Sequence, residues 1–118
     1  MAERQWRVRL SAAAEVDFAN IAKWTAGNFG AEQSRIYRDT LVQAIGELAN
    51  GPDVAGSKAR DEIMAGLRTL HVSRRGRRGS HFLMYRAGPN NTIEIVRILH
   101  DGMDLQRHVA TVPGESTE

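Results

Sequence analysis

Ile93-Glu94-Ile95-Val96-Arg97-Ile98-Leu99-His100-Asp101-Gly102-Met103-Asp104 is the stretch on which the fold turns. Its first seven residues are rich in Ile and Val, the composition of a β-strand, and they run into a turn carrying a histidine and two carboxylates. Ile93, Ile95 and Leu99 fall on one parity and Val96 and Ile98 on the other, so the strand is expected to be central and covered on both faces. Arg97 shares the parity of Ile93 and Ile95. A cation in that position needs a partner, or a groove that something fills.

Upstream of this strand, His81-Phe82-Leu83-Met84-Tyr85-Arg86 reads as a second strand, and Gly88-Pro89-Asn90-Asn91 joins the two by a tight turn. Before it, Leu67 to Ser73 alternates Leu70 and Val72 against Thr69 and His71, which makes a third. Between them, Arg74-Arg75-Gly76-Arg77-Arg78-Gly79-Ser80 is an arginine-rich hairpin loop. From Arg68 to Arg86 the chain carries six arginines and no Asp or Glu, a local cationic field on a protein whose formal net charge is only +2. Fourteen of the sixteen basic residues are arginine, whose planar fork suits carboxylate or phosphate. A solvated surface hairpin is the plain alternative.

At the other end, Trp6-Arg7-Val8-Arg9-Leu10 alternates apolar and cationic residues like a strand with one buried face. Ser11 is placed to cap a helix starting at Ala12, with Glu15 and Asp17 near its positive end. Ala14, Phe18, Ile21, Ala22 and Thr25 recur at helical spacing, and Gly27-Asn28 is expected to end that helix. Trp24 lies off the centre of the stripe and reads as a rim residue of the core, with a binding anchor as the other reading. After Phe29-Gly30, a second helix follows from Tyr37, Leu41, Ala44, Ile45 and Leu48, stopped by Gly51-Pro52. The polar segment Asp53 to Glu62 reads as an irregular connector. The order is strand, helix, helix, strand, strand, strand, a helical hairpin laid on a sheet.

The chain of 118 residues suits one domain, expected over 1–110, with 111–118 as a disordered tail and a short helical turn around Leu105 to Val109. The apolar and charged fractions, 42% and 25%, are those of an ordinary globular protein, and no apolar run reaches bilayer length. The start lacks the apolar core of a signal peptide, so cytoplasmic residence is the expectation and no membrane partner is expected. With no cysteine, there is no disulfide framework and no thiolate metal site. No phosphate-binding glycine loop, His-x-x-x-His or Gly-x-Ser-x-Gly pattern occurs. His100, Asp101 and Asp104 could be read as a metal trio, but consecutive strand-end residues diverge, and capping of the turn is the better reading, so neither metal nor cofactor is expected. His71 and His81 stay without an assigned role.

What stands out is positional. Leu10-Ser11 opens the first helix, Phe29-Gly30 lies between helices, Gly66-Leu67-Arg68 enters a strand, and Arg97-Ile98-Leu99-His100 is followed by Met103-Asp104 and His108. In that order and spacing the sequence closely resembles the ParE branch of the RelE/ParE superfamily, small toxins of bacterial toxin–antitoxin operons, from about Trp6 to His108. The resemblance implies an α+β, βααβββ fold with the helical hairpin packed on a twisted, mainly antiparallel sheet. It implies a ParD-like antitoxin, a ribbon-helix-helix protein whose C-terminal segment wraps the toxin. Trp24, Tyr37, Leu41 and Arg86 are the expected antitoxin contacts. DNA is expected to be met only through that complex.

Two activities are known on such a fold. ParE-like toxins are described as poisons of DNA gyrase, and RelE-like ones cut messenger RNA on the ribosome. RNA cleavage needs a general acid, a general base and cations, types that Tyr85, Arg97, His100 and His108 could supply. Yet only Lys23 and Lys58 are lysines, and no tyrosine follows Tyr85, unlike the lysine- and arginine-dense nucleases. The resemblance therefore implies gyrase inhibition by protein–protein contact with no catalytic residue, and target contacts at Arg68, Arg74, Arg75, Arg77, Arg78, Arg97, His100 and Asp104. The alternative is a ribosome-dependent endoribonuclease. One departure concerns the loop: where ParE-like chains often carry Arg-His, Ser80-His81 stands here after a longer arginine-rich loop, with Arg77 or Arg78 as candidates to replace the missing charge. A third reading, a nucleic-acid-binding module using Arg74 to Arg78, lacks an aromatic stacking platform around the loop.

Overall fold

The computed structural model describes residues 5–102. Met103, Asp104, His108, the helical turn expected around Leu105 to Val109 and the expected tail lie outside the described residues. The chain runs β1 (Arg7–Leu10), α1 (Ala12–Phe29), α2 (Ala31–Glu47), a 3-10 turn (Leu48–Asn50), β2 (Lys58–Ala59), β3 (Leu67–His71), β4 (His81–Gly88) and β5 (Thr92–His100). The sheet order is β1-β5-β4-β3-β2. β1 runs parallel to β5, and every other pairing is antiparallel.

The two-residue strand β2 is an addition to the expected element order. It lies inside the segment read as an irregular connector and pairs Lys58 with Thr69 and Ala59 with Arg68. No alternation of side chains could have announced so short a strand; it exists because β3 offers it a free edge.

Ser11 caps α1 as expected, its Oγ accepting the Ala14 N–H at 3.0 Å. The same hydroxyl donates to the Val96 carbonyl at 3.0 Å and so ties the cap to β5. α1 passes through Gly27-Asn28 and ends at Gly30, whose φ of 97° belongs to the region that favours glycine. The expected end was two residues early because Asn28 stays helical, its side-chain amide donating to the Trp24 carbonyl at 2.8 Å. Across the hairpin, the Ser34 hydroxyl donates to the Ala22 carbonyl at 2.7 Å.

The main core lies between the helices and the sheet and gathers Ala14, Leu41, Ala44 and Leu48 with Leu70, Val72, Leu83, Tyr85, Ile93, Ile95 and Ile98. A smaller cluster of Leu67, Met84, Val96 and Leu99 fills the other face, with Ile63 and Met64 against it. β5 is therefore covered on both sides, as its composition implied. The assignment of faces is corrected: Ile98 joins Ile93 and Ile95, and Leu99 joins Val96. The cause is a bulge, because Met84 pairs with Arg97 while Tyr85 pairs with Ile95, leaving Val96 extra. One extra residue reverses the alternation beyond it. Among the described residues no helix is long and apolar enough to cross a membrane.

Candidate functional site

The far end of the helical hairpin and the loop between β3 and β4 enclose a groove of about 770 Å³. Trp24 and Phe29 come from the end of α1, Ile36, Tyr37 and Thr40 from α2, Arg77 and Arg78 from the loop, and His81 from the start of β4. Through Trp24, Ser80 and His81 it continues into a smaller recess of about 290 Å³ reached by Ile21 and His100. Among the described residues neither part is lined by an Asp or Glu. Trp24 and Phe29 meet edge to face with ring centroids 5.8 Å apart, and both stay mostly exposed, at 61% and 63%. Two large aromatics in contact and open to water, with Ile36 40% exposed beside them, form an apolar patch of the kind that marks a contact surface.

The polar floor is built from Tyr37 and His81. The Ser80 N–H donates to Tyr37 Oη at 2.9 Å, and Tyr37 Oη lies 2.7 Å from His81 Nδ1. Burial, and then the neighbouring His100, push His81 down to about 4 from its ordinary 6.5, so its ring is neutral at pH 7. We assign the Tyr37 hydroxyl as donor to Nδ1, which leaves the proton on Nε2. Tyr37 in turn is pushed above its ordinary value, chiefly by its own burial.

The arginine-rich loop is organised more than its composition implied. Arg74 donates to Glu47 Oε1 through Nε at 2.9 Å and Nη2 at 2.6 Å, and Arg75 Nε donates to Glu47 Oε2 at 2.8 Å. Burial raises the Glu47 carboxyl, but the hydrogen bonds from the two arginines outweigh it, and the group lies below its ordinary value. Arg77 reaches Thr40 Oγ1 at 3.2 Å. Arg78 is exposed and lines the groove.

Other expected site residues fall elsewhere. Arg68 donates to the Pro52 carbonyl at 2.9 Å and to Ser57 Oγ at 2.8 Å, binding the connector to the sheet. Arg97 is held by Asp17 of α1 in a bidentate pair at 2.7 and 2.9 Å, and Asp17 also accepts the Ile98 N–H at 2.9 Å. Of the two expectations for Arg97, a partner or a groove, the partner is the one found: beyond Leu10, β1 no longer covers β5, and the carboxylate of α1 takes its place. Leu41 is fully buried in the main core rather than bordering the groove, because the helix stripe that packs the sheet runs through it. Arg86 pairs with Glu94 at 3.3 Å in a separate shallow pocket shared with Arg9. His100 lines the recess, and its neighbour Asp101 accepts from His71 Nε2 at 2.9 Å. Among the described residues no three side chains are arranged to hold a metal ion.

Sequence reasoning missed Phe29, Ile36, His81 and Glu47. Phe29 was seen only as a loop neighbour of Gly30, and Ile36 was not singled out. An off-stripe Ile one residue before Tyr37, beside two off-stripe aromatics, was the available signal.

Comparison with known proteins agrees with this architecture. A family profile described as ParE toxin of type II toxin-antitoxin system, parDE, matches residues 8–105. Toxin ParE1 of Mycobacterium tuberculosis is 36% identical over 103 residues, covering 87% of this chain and 97% of that protein. Toxin ParE1 of Caulobacter vibrioides is 31% identical over 101 residues, covering 86% and 95%. Two solved structures share the fold: a chromosomal ParDE toxin–antitoxin system from P. aeruginosa, with TM-score 0.67, 18% identity and coverage of 83% and 98%, and the RelBE2 toxin–antitoxin complex from M. tuberculosis, with TM-score 0.57, 23% identity and coverage of 84% and 94%. From the family match over most of its length and the two-helix, five-stranded architecture, the chain belongs to the ParE toxin family of type II toxin–antitoxin systems.

Proposed function

We propose that this toxin inhibits DNA gyrase by protein–protein contact, without catalysis, and that a ParD-like antitoxin neutralises it by laying an acidic, amphipathic segment in the groove. One observation carries the choice against RNA cleavage. Tyr85, the latest tyrosine and the natural acid for such chemistry, is fully buried, its hydroxyl donating to the Pro52 carbonyl. Arg97, the natural phosphate clamp, is neutralised by Asp17. Neither can act on a bound strand without breaking these contacts.

The antitoxin reading is supported by the exposed Trp24, Phe29 and Ile36, by Arg78 beside them, and by the lack of a lining carboxylate among the described residues. A segment with a large apolar residue and a carboxylate complements such a groove, and it can order itself on binding. Of the expected target contacts, Arg75, Arg78 and His100 are exposed, Arg75 while also paired with Glu47.

A supercoiling assay with purified gyrase is the test: the toxin is expected to block supercoiling and the antitoxin to restore it. Untouched gyrase together with ribosome-dependent messenger RNA cleavage would overturn the choice. That second reading has one observation in its favour, the neutral His81 beside Tyr37 and His100 in a groove flanked by Arg78.

A further inference from the structure

The β3–β4 loop lies along one face of α2. Tyr37, Thr40 and Glu47 are spaced by three and seven residues, which puts them on one side of a helix over about 15 Å. Each meets the loop in reverse order: Glu47 holds Arg74 and Arg75, Thr40 holds Arg77, and Tyr37 holds the Ser80 N–H. Glu47 is the anchor of this series. It is the one carboxylate in it, its side chain is 12% exposed, and it takes three charge-assisted hydrogen bonds from two consecutive arginines. Between the anchors, the Arg77 N–H donates to the Arg74 carbonyl at 2.9 Å, so the course of the chain at Arg74 sets where Arg77 and Arg78 stand. Gly79 permits the close approach at the far end, where a Cβ would run into Val72 and come within 3.0 Å of Tyr37 Oη.

We propose that Glu47 is a positioning residue for the partner-binding groove: by clamping Arg74 and Arg75 it fixes the loop on α2, so that Arg77 and Arg78 form a preset cationic wall facing the apolar rim. The inference rests on the reading of the groove as the seat of an acidic antitoxin segment. The loop is then a wall held at one distance from Trp24 and Ile36 rather than a loose cationic field. A fixed wall saves the partner the cost of ordering the loop, so affinity depends on the clamp and not only on the charge.

The two views differ in sign, which makes them separable. E47Q removes a negative charge beside the loop and R74Q removes a positive one. A cationic field makes E47Q bind an acidic segment more tightly and R74Q less tightly. A positioned wall makes both bind less tightly, and E47D, which keeps the charge but shortens the reach, falls between wild type and E47Q. The probe is a fluorescein-labelled peptide of the C-terminal segment of the antitoxin encoded beside the toxin gene, titrated by anisotropy at two salt concentrations against wild type, E47Q, E47D, R74Q and I36D. The expected result is a tenfold or greater loss for E47Q and R74Q. Amide exchange should also quicken at least tenfold at Arg77 and Ser80 in E47Q and stay unchanged at Ile95 and Ile98 of β5. Unchanged or tighter binding by folded E47Q overturns the proposal. Where E47Q does not fold, an E47D affinity equal to wild type overturns it. I36D separates this inference from its premise: unchanged affinity there removes the groove as the seat of the segment and the role of Glu47 with it, whereas loss in I36D without loss in E47Q removes the role of Glu47 alone.

Discussion

Asp17 does more for this fold than its place in the first turns of α1 suggests. It neutralises Arg97 and also accepts the Ile98 N–H, satisfying a backbone donor that β1 is too short to reach. Asp17→Ala is expected to destabilise by about 3–4 kcal/mol, leaving a part-buried cation and an orphaned N–H, whereas Arg97→Ala should cost about 1–2 kcal/mol, since the carboxylate keeps the Ile98 N–H. Urea unfolding of the two variants checks the order. His81 gives a pH dependence. Its folded value, about 4, lies below its ordinary 6.5, so the unfolded chain takes up the proton first as pH falls. The stability due to neutral His81 is complete above about 6.5 and is lost between there and about 4, amounting to about 1–2 kcal/mol once screening by the open groove is allowed for. Glu47, also held below its ordinary value, adds a loss in the same direction lower in the acid range. Unfolding midpoints at pH 7 and pH 5 should converge in His81→Gln relative to wild type. At this scale the sequence was least legible. It showed that Arg97 required a partner or a groove, but the partner stands 80 residues away in sequence, and only the packing of α1 along the edge of β5 selects Asp17 over the other carboxylates.

Among the elements, α2 was the clearest in the sequence and remains the most committed to the core. Leu41, Ala44 and Leu48 on its stripe are buried to 0–1% exposure. Leu41→Ala should therefore cost about 2–5 kcal/mol and lower the thermal midpoint, with groove binding affected only through stability. A variant that keeps its midpoint but loses the antitoxin would contradict that separation. Tyr37 on that same stripe, with Thr40 and Glu47 on the flank adjoining it, meets the loop, so neighbouring side chains of one helix serve the core and shape the groove. Strand boundaries were less legible than helices. β4 extends to Gly88 and turns through Asn90 and Asn91, both at positive φ, where asparagine is among the residues that tolerate it. The bulge at Val96 has no local signal because Ile, Val and Leu occupy both parities of β5; where every side chain is apolar, alternation carries no information about face.

For the whole molecule, the arginines set the limits of what the surface can do. Arg68, Arg74, Arg75, Arg77, Arg86 and Arg97 all have protein partners, most of them carboxylates. Free-standing DNA binding through the loop should accordingly be weak. Its dependence on salt should correspond to about one or two phosphates, a slope of about −1 to −2 in a log–log plot. Anisotropy with a labelled duplex measures it, and a slope several times steeper would restore the nucleic-acid-binding reading. The apolar rim gives the complementary expectation. Trp24→Ala should leave the thermal midpoint within a few degrees, since the ring is mostly exposed, yet weaken antitoxin binding by about 2 kcal/mol or more, as truncation of a buried aromatic anchor does.

Composition and periodicity determined the α+β class, the helical hairpin and the interior strand β5, because these are written in local spacing, and the order of motifs carried the resemblance to the ParE branch. Tertiary structure alone decided the two-residue edge strand, the reversal of faces at the bulge, the partners of the arginines and the location of the groove. Each of these depends on which distant side chain arrives first at a charge or an open strand edge. So β5, with an arginine amid apolar residues, specified a sheet and a need for a counter-charge, while the packing of α1 against its uncovered edge supplied the carboxylate.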